Sequence, residues 1–180
     1  VQRATAAVVE KNPDMPAEEQ ADVGNTVGIG ALKYADLSTD RVKDYVFDWD
    51  RMLAFEGNTA PYLQYAHARI CSIFRRAGVA RSEVANASLT LDAAQERTLA
   101  LAVLQFDAAV HDTLDRYSPH RLCTYLFDLA QAFTSFYDAC PVLKAPDEAT
   151  RRSRLTLCDV TARTLAAGLG LLGIDAPERM

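Results

Sequence analysis

The sequence predicts an all-α fold, a bundle of about five or six helices. Three observations lead there. Beyond residue 50 the apolar residues recur at helical spacing, and no run reads as a strand pair. Helix breakers at Asn12-Pro13, Gly78 and Pro141 divide the chain into long periodic segments. Hydrophobic residues make up 49% of the 180 residues and charged residues 24%, which suits a packed core and not a disordered chain.

The elements follow in order. A first helix, residues 1–11, stops at Asn12-Pro13. A second begins near Pro16, with Glu18 and Glu19 in the first turn, where the helix dipole favours anions. It runs through VGIGALKYA, where Gly28 and Gly30 either weaken the helix or let a neighbour pack closely. Residues 37–50 are the least helical part. YVFDWD alternates apolar and acidic residues, which suits a short extended piece or a helix start. In NTAPYLQYAHARI, Asn58 and Thr59 are cap candidates and Pro61 suits the first turn of a long helix that ends near Gly78.

SLTLD, 88–92, leads into a helix over AAQERTLALAVLQFDAAVHDTLDRY, with a broad apolar face of Leu99, Leu101, Val103, Leu104, Ala108, Val110 and Leu114. Pro119 opens another helix, which ends at Pro141. The last long helix covers 147–172, with Gly173 as its C-cap. Residues 83–180 then form a compact unit of three long helices, preceded by a helical segment, 1–82.

Composition excludes several classes. The net charge of −5 disfavours non-specific nucleic-acid binding, which needs a basic field, but leaves room for a local basic patch. Cys71, Cys123, Cys140 and Cys158 stand far apart inside apolar helical runs, so they read as buried free thiols in a reducing cytoplasm. The longest apolar run, Leu165 to Ile174, contains three glycines and is too short to span a bilayer. No signal-type N-terminus is present. The chain begins inside a helical pattern without an initiator methionine and reads as a piece of something longer.

One constellation stands out. At 100° per residue, Tyr62, Tyr65, Arg69 and Arg76 fall within about 60° of each other on one helix stripe. Leu63, Ala66, Ile70 and Phe74 form a neighbouring apolar stripe that can face a core. Segment 57–82 holds Arg69, Arg75, Arg76 and Arg81 and no acidic residue. Two phenol rings one turn apart with guanidinium groups beyond them suit a stacked base and its phosphates. The alternative is an amphipathic helix whose tyrosines bury their rings and expose their hydroxyls.

A second basic cluster, Arg151, Arg152 and Arg154, reads as a solvated helix face. Enzyme motifs are missing. His67, His111 and His120 lack metal-ligand spacing, VGIGAL follows a helix and lacks the Lys-Ser/Thr of a phosphate loop, and Asp48 and Asp50 read as caps or salt-bridge partners.

Four stretches in this order, VGIGALKYADL, DYVFDWDRMLAFEGNTAPYLQYAHARI, PHRLCTYLFDLAQAFTSFYDACPVL and GLGLLGIDAPERM, resemble the C-terminal part of arginyl-tRNA synthetases, class I enzymes. The resemblance runs from about Arg3 to Met180, and GNTAPYLQYAHAR and the ending LLGIDAPERM are its most specific parts. It implies a helical bundle of the class I synthetase anticodon-binding type, with residues from about 83 forming a domain of the DALR type. It implies that Tyr62, Tyr65 and Arg69 face an anticodon loop, that Tyr137 in SFYDAC helps hold an anticodon base, and that Met180 lies beside the same pocket. Arg76 joins them from the helical stripe alone.

The family's HIGH-like and KMSKS-like ATP-binding motifs do not occur here, so no catalytic residue and no cofactor is expected in this chain. ATP with magnesium belongs to the parent enzyme, an arginine-tRNA ligase. The expected partners are an arginine tRNA, through its anticodon loop, and the parent's catalytic domain, with no membrane or DNA partner, as a cytoplasmic monomer. The competing expectation is a stand-alone helical scaffold or protein-interaction module without RNA binding.

Overall fold

A computed structural model describes residues 1–44, 46–85 and 87–180. Among them there is no strand, and the helices are α1 (Gln2–Lys11), α2 (Ala17–Leu37), α3 (Trp49–Met52), α4 (Ala60–Ala77), α5 (Arg81–Val84), α6 (Ala94–Leu104), α7 (Phe106–Arg116), α8 (Pro119–Ala139) and α9 (Glu148–Leu171). This exceeds the expected five or six, because α3 and α5 are single turns and one long segment divides into α6 and α7. The YVFDWD segment yields the start of α3, capped by the Asp48 side chain, which accepts from the amides of Asp50 and Arg51. Its first residue, Tyr45, lies outside the described residues.

Local chemistry sets the main boundaries. Thr59 caps α4, its Oγ accepting from the Tyr62 amide at 3.2 Å and donating to the Ala54 carbonyl at 2.6 Å. Asn58 serves differently: its side-chain oxygen meets the hydroxyl of the fully buried Tyr34 at 2.6 Å. Gly78 ends α4 at φ +65°, a left-handed conformation that favours glycine. Asp147 caps α9 through the Thr150 amide.

The single helix expected over 93–117 breaks at Gln105 without proline or glycine. In a continuous helix the Ala102 carbonyl would accept from the Phe106 amide. Here it accepts from the Tyr125 hydroxyl of α8 at 2.9 Å and from the Gln105 amide at 3.2 Å. The expected apolar face narrows accordingly. Leu99 is fully buried and Val103, Phe106 and Val110 pack on the core, whereas Leu101, Leu104 and Leu114 are more than half exposed.

One main core joins Tyr34 of α2 and Leu63, Ile70 and Phe74 of α4 to Leu126 and Phe133 of α8 and Leu157 and Leu165 of α9. The apolar stripe of α4 thus faces inward as its spacing predicts. A smaller core, Ala4, Val8, Val23 and Val27, holds the α1–α2 hairpin together. The glycines of α2 admit close neighbours there: a Cβ on Gly24 would lie 2.6 Å from Thr5 Cα, and one on Gly28 3.0 Å from Val1 Cα. All four cysteines are buried and free, and burial pushes the Cys123 thiol up to about 12.

Arg151, Arg152 and Arg154 are not simply a solvated face: Arg152 is exposed, yet all three reach back to other elements. Arg154 pairs with the buried Glu96 at 2.7 Å and donates to the Pro141 carbonyl at 2.9 Å. Arg151 donates to the Ala77 carbonyl and Arg152 to that of Glu83, so the cluster fastens the ends of α4, α5 and α6 to α9. Arg81 is likewise structural, paired with the buried Asp159. No helix among the described residues is long and apolar enough to cross a membrane.

Candidate nucleic-acid interface

The outward face of α4 opens onto a cavity of about 670 Å³ between α4, α8, the end of α1 and the C-terminal residues. Five of the six residues singled out from the sequence line it: Tyr65, Arg69, Arg76, Tyr137 and Met180. Tyr62 does not. Its ring tilts against Phe127 of α8 at 5.7 Å and its hydroxyl lies 3.2 Å from Thr134 Oγ, one turn before Tyr137. Tyr62 is thus half-buried in the α4–α8 seam beside the cavity.

The lining alternates cations with rings. Lys11 Nζ stands 4.2 Å from the Phe55 ring centroid, and Phe55 meets Tyr65 edge-on at 6.4 Å. The Arg69 guanidinium lies 5.7 Å from the Tyr65 centroid and 4.5 Å from that of Tyr137. Tyr137 in turn packs on the buried Phe133 at 6.0 Å, which fixes it to the core. A guanidinium held between two phenol rings keeps its N–H fork directed along the plane, where it can meet a base edge or a phosphate.

The charge is unbalanced toward cations. Lys11, Arg69, Arg75 and Arg76 line the cavity against one acidic side chain, Glu56. Among the described residues none of these four cations forms a salt bridge, although the chain as a whole carries net charge −5. Arg75 donates to the Glu178 carbonyl at 3.0 Å. This is the arrangement that anchors a polyanion while offering aromatic faces to unstacked bases.

Lys11 and Phe55 escaped the reading of the sequence. Lys11 closes a separate helix and Phe55 sits in a loop, so no helical spacing relates either to the α4 stripe. The one available signal was position: Phe55 lies shortly before the cap Thr59 in the stretch that leads into the tyrosines. The histidines hold no metal cluster among the described residues. His67 is buried in α4, with Nδ1 3.0 Å from the Pro177 carbonyl and Nε2 3.9 Å from Cys71 Sγ. With a carbonyl on Nδ1, that nitrogen carries the proton and Nε2 faces the thiol. Burial lowers the His67 pKa, so the ring is held neutral.

A helical bundle with a cationic, aromatic cavity on its surface can take up a polyanion with unstacked bases, and comparison with known proteins places the chain in a family. The family model for the DALR anticodon binding domain matches residues 63–180, and the chain belongs to that family. The model for the catalytic domain of class I (R) tRNA synthetases matches residues 1–49.

The particular proteins it resembles are arginine-tRNA ligases. Those of Enterobacter sp. (strain 638) and Erwinia tasmaniensis are 52% and 53% identical over 180 residues, all of this chain and 31% of each relative. Among solved structures, Thermus thermophilus arginyl-tRNA synthetase is 42% identical with a TM-score of 0.91, over 99% of this chain and 30% of that one. The arginyl-tRNA synthetase of Plasmodium falciparum is 31% identical with a TM-score of 0.87, over 99% of this chain and 32% of that one. The chain therefore spans about a third of the length of the relatives it matches.

Proposed function

We propose that this chain reads the anticodon loop of an arginine tRNA as part of an arginine-tRNA ligase, an enzyme that joins arginine to its tRNA using ATP with magnesium. The observation that carries the reading is the cavity in which Tyr65, Arg69, Arg76, Tyr137 and Met180 meet. Tyr65 and Tyr137 present ring faces to a splayed base, Arg69 reads its edge, and Arg76 with Lys11 anchors flanking phosphates. Tyr62 supports the α4–α8 seam and extends the aromatic surface toward the loop. The matches to the anticodon binding domain and to ligases support this reading and offer none for a stand-alone scaffold.

The rest of the enzyme belongs to the same proposal. Residues 1–49, which match the catalytic-domain model, pack against the remainder of that domain, and the exposed Val42, Val46, Phe47 and Trp49 are suited to such a contact. ATP, magnesium and arginine bind there and not to this chain. The division into a leading segment, 1–82, and an anticodon-binding bundle, 83–180, is part of the proposal, with one core shared across it. The enzyme works in the cytoplasm as a monomer.

The test is a titration with an arginine tRNA and with the same tRNA carrying a changed middle anticodon base, at low and moderate salt. Preference for the unchanged tRNA is expected. Equal, salt-quenched binding to both would reduce the cavity to a basic patch and overturn the reading.

A further inference from the structure

Residues 173–180 leave α9 and cross back over α2 and α4 without forming a helix. Their carbonyls are taken in turn by side chains from those two helices. Lys33 donates to Gly173, Gln64 Nε2 to Asp175 at 2.8 Å, His67 Nδ1 to Pro177 at 3.0 Å and Arg75 to Glu178 at 3.0 Å. Arg179 faces Glu19 of α2 at 3.6 Å. Ile174 is buried in the main core, and Met180 packs against the smaller core of the α1–α2 hairpin.

A segment outside regular secondary structure has no ladder of its own and needs partners for its backbone groups. Here the ties come at a cost inside the protein. Gln64 and His67 are buried polar side chains, and such groups are expensive unless bonded. Among the described residues, the shortest Gln64 bond and the sole side-chain-to-backbone bond of His67 go to this segment. Gly30 makes room for one of them, since a Cβ there would stand 2.9 Å from Gln64 Nε2.

We infer that residues 173–180 are a strap, positioned by Gln64 and His67, that sets Met180 as a wall of the cavity and ties the α1–α2 hairpin to α4. The inference rests on the reading of the cavity as the RNA-binding surface. One helix then defines the cavity twice. Tyr65 and Arg69 line it directly from the outer face of α4, while Gln64 and His67 on the inner face place the opposing Met180 through the strap. Gln64 and His67 are positioning residues and touch no RNA.

The experiment uses the 180-residue chain with 13C-methyl-labelled methionine, an anticodon stem-loop of an arginine tRNA, and the same stem-loop with a changed middle base. His67→Leu removes the donor to Pro177, and His67→Asn returns an N–H near the Nδ1 position. His67→Leu is expected to lower affinity for the unchanged stem-loop about fivefold, to move the Met180 methyl signal toward its unstructured position, and to leave little for Met180→Ala to add. His67→Asn is expected to restore most of both. Lys33→Met, at an exposed site outside the cavity, loosens the same strap without risk to the core and is expected to move the Met180 signal in the same direction.

A chain that discriminates the two stem-loops, with both selectivity and the Met180 signal unmoved by His67→Leu and Lys33→Met, would overturn the strap. A chain that does not discriminate them at all would overturn the reading of the cavity and the strap's part in it, while the Met180 signal still shows whether the strap is held.

Discussion

The Arg69 guanidinium stands 4.5 Å from the centroid of the Tyr137 ring, joining α4 to α8 across 68 residues of sequence at the edge of the cavity. The contact makes the two side chains one unit: the ring orients the guanidinium and the cation holds the ring. Loss of either therefore disturbs both, and the effects of removing them are not additive. Tyr137→Leu is expected to weaken binding of an arginine-tRNA anticodon stem-loop about tenfold or more, and Arg69→Ala on top of it to add little. Tyr62→Ala instead is expected to cost about 2 kcal/mol of stability, because that ring is packed in the seam. Paired binding titrations and urea unfolding distinguish the two.

Salt dependence should report the phosphate anchors. Arg76 is exposed, lines the cavity and has no carboxylate partner among the described residues. Arg76→Ala is expected to lower the slope of log affinity against log salt by about 0.7, with the preference for the correct anticodon unchanged. Titrations at three or more salt concentrations measure this directly.

His67 should make the fold acid-sensitive. Burial holds its folded pKa below the ordinary 6.5, with Cys71, Arg81 and Glu178 as its ionisable neighbours. The unfolded chain therefore binds the proton first as pH falls below 6.5, and stability declines from there until the folded pKa is reached. Above that window the group contributes no pH dependence. Urea unfolding from about pH 7.5 to about pH 5 is expected to show the decline, and His67→Asn is expected to flatten it.

Glu96 adds a second, more acidic step. Burial alone would raise its carboxyl, but the Arg154 guanidinium and the Ala93 amide outweigh that and hold it below the usual 4.5. A depressed carboxylate contributes stability above its unfolded pKa and loses it as pH falls through the folded one. Since both partners are largely buried, Arg154→Met strands a charge and is expected to cost about 3 kcal/mol, read by denaturant unfolding at neutral pH.

Two glycines in helices should respond with opposite sign. Gly24→Ala forces a Cβ to within 2.6 Å of the Thr5 backbone and is expected to cost about 2 kcal/mol by pushing α1 off α2. Gly170→Ala in α9 meets open space and is expected to stabilise by about 0.5 kcal/mol. Thermal unfolding of the two variants is the comparison.

Much of the fold was legible because its signals are local. The Thr59 cap, the Gly78 stop and the Leu63–Ala66–Ile70–Phe74 stripe all lie within a few residues of what they govern. The break at Gln105 was hidden because its cause, the Tyr125 hydroxyl, comes from another helix. The α9 arginines were misread for the same reason: charge near a helix start looks solvated until the partners, Glu96 and the carbonyls of Ala77 in α4 and Glu83 in α5, arrive from elsewhere.

The sequence by itself determined the long helices α1, α2, α4, α8 and α9, the inward face of α4 and the membership of Tyr65, Arg69 and Arg76 in one outward stripe, since capping and a 3.6-residue period act along the chain. The tertiary structure alone decided which aromatic joins the cavity. Tyr62 and Tyr65 are only about 60° apart around α4, and the packing of α8 claims the first and leaves the second open. It also decided that Lys11, Phe55, Tyr137 and Met180 gather around Arg69. Those meetings depend on how separate elements bury their apolar faces against one core, and that is set by the whole chain and not by any local spacing.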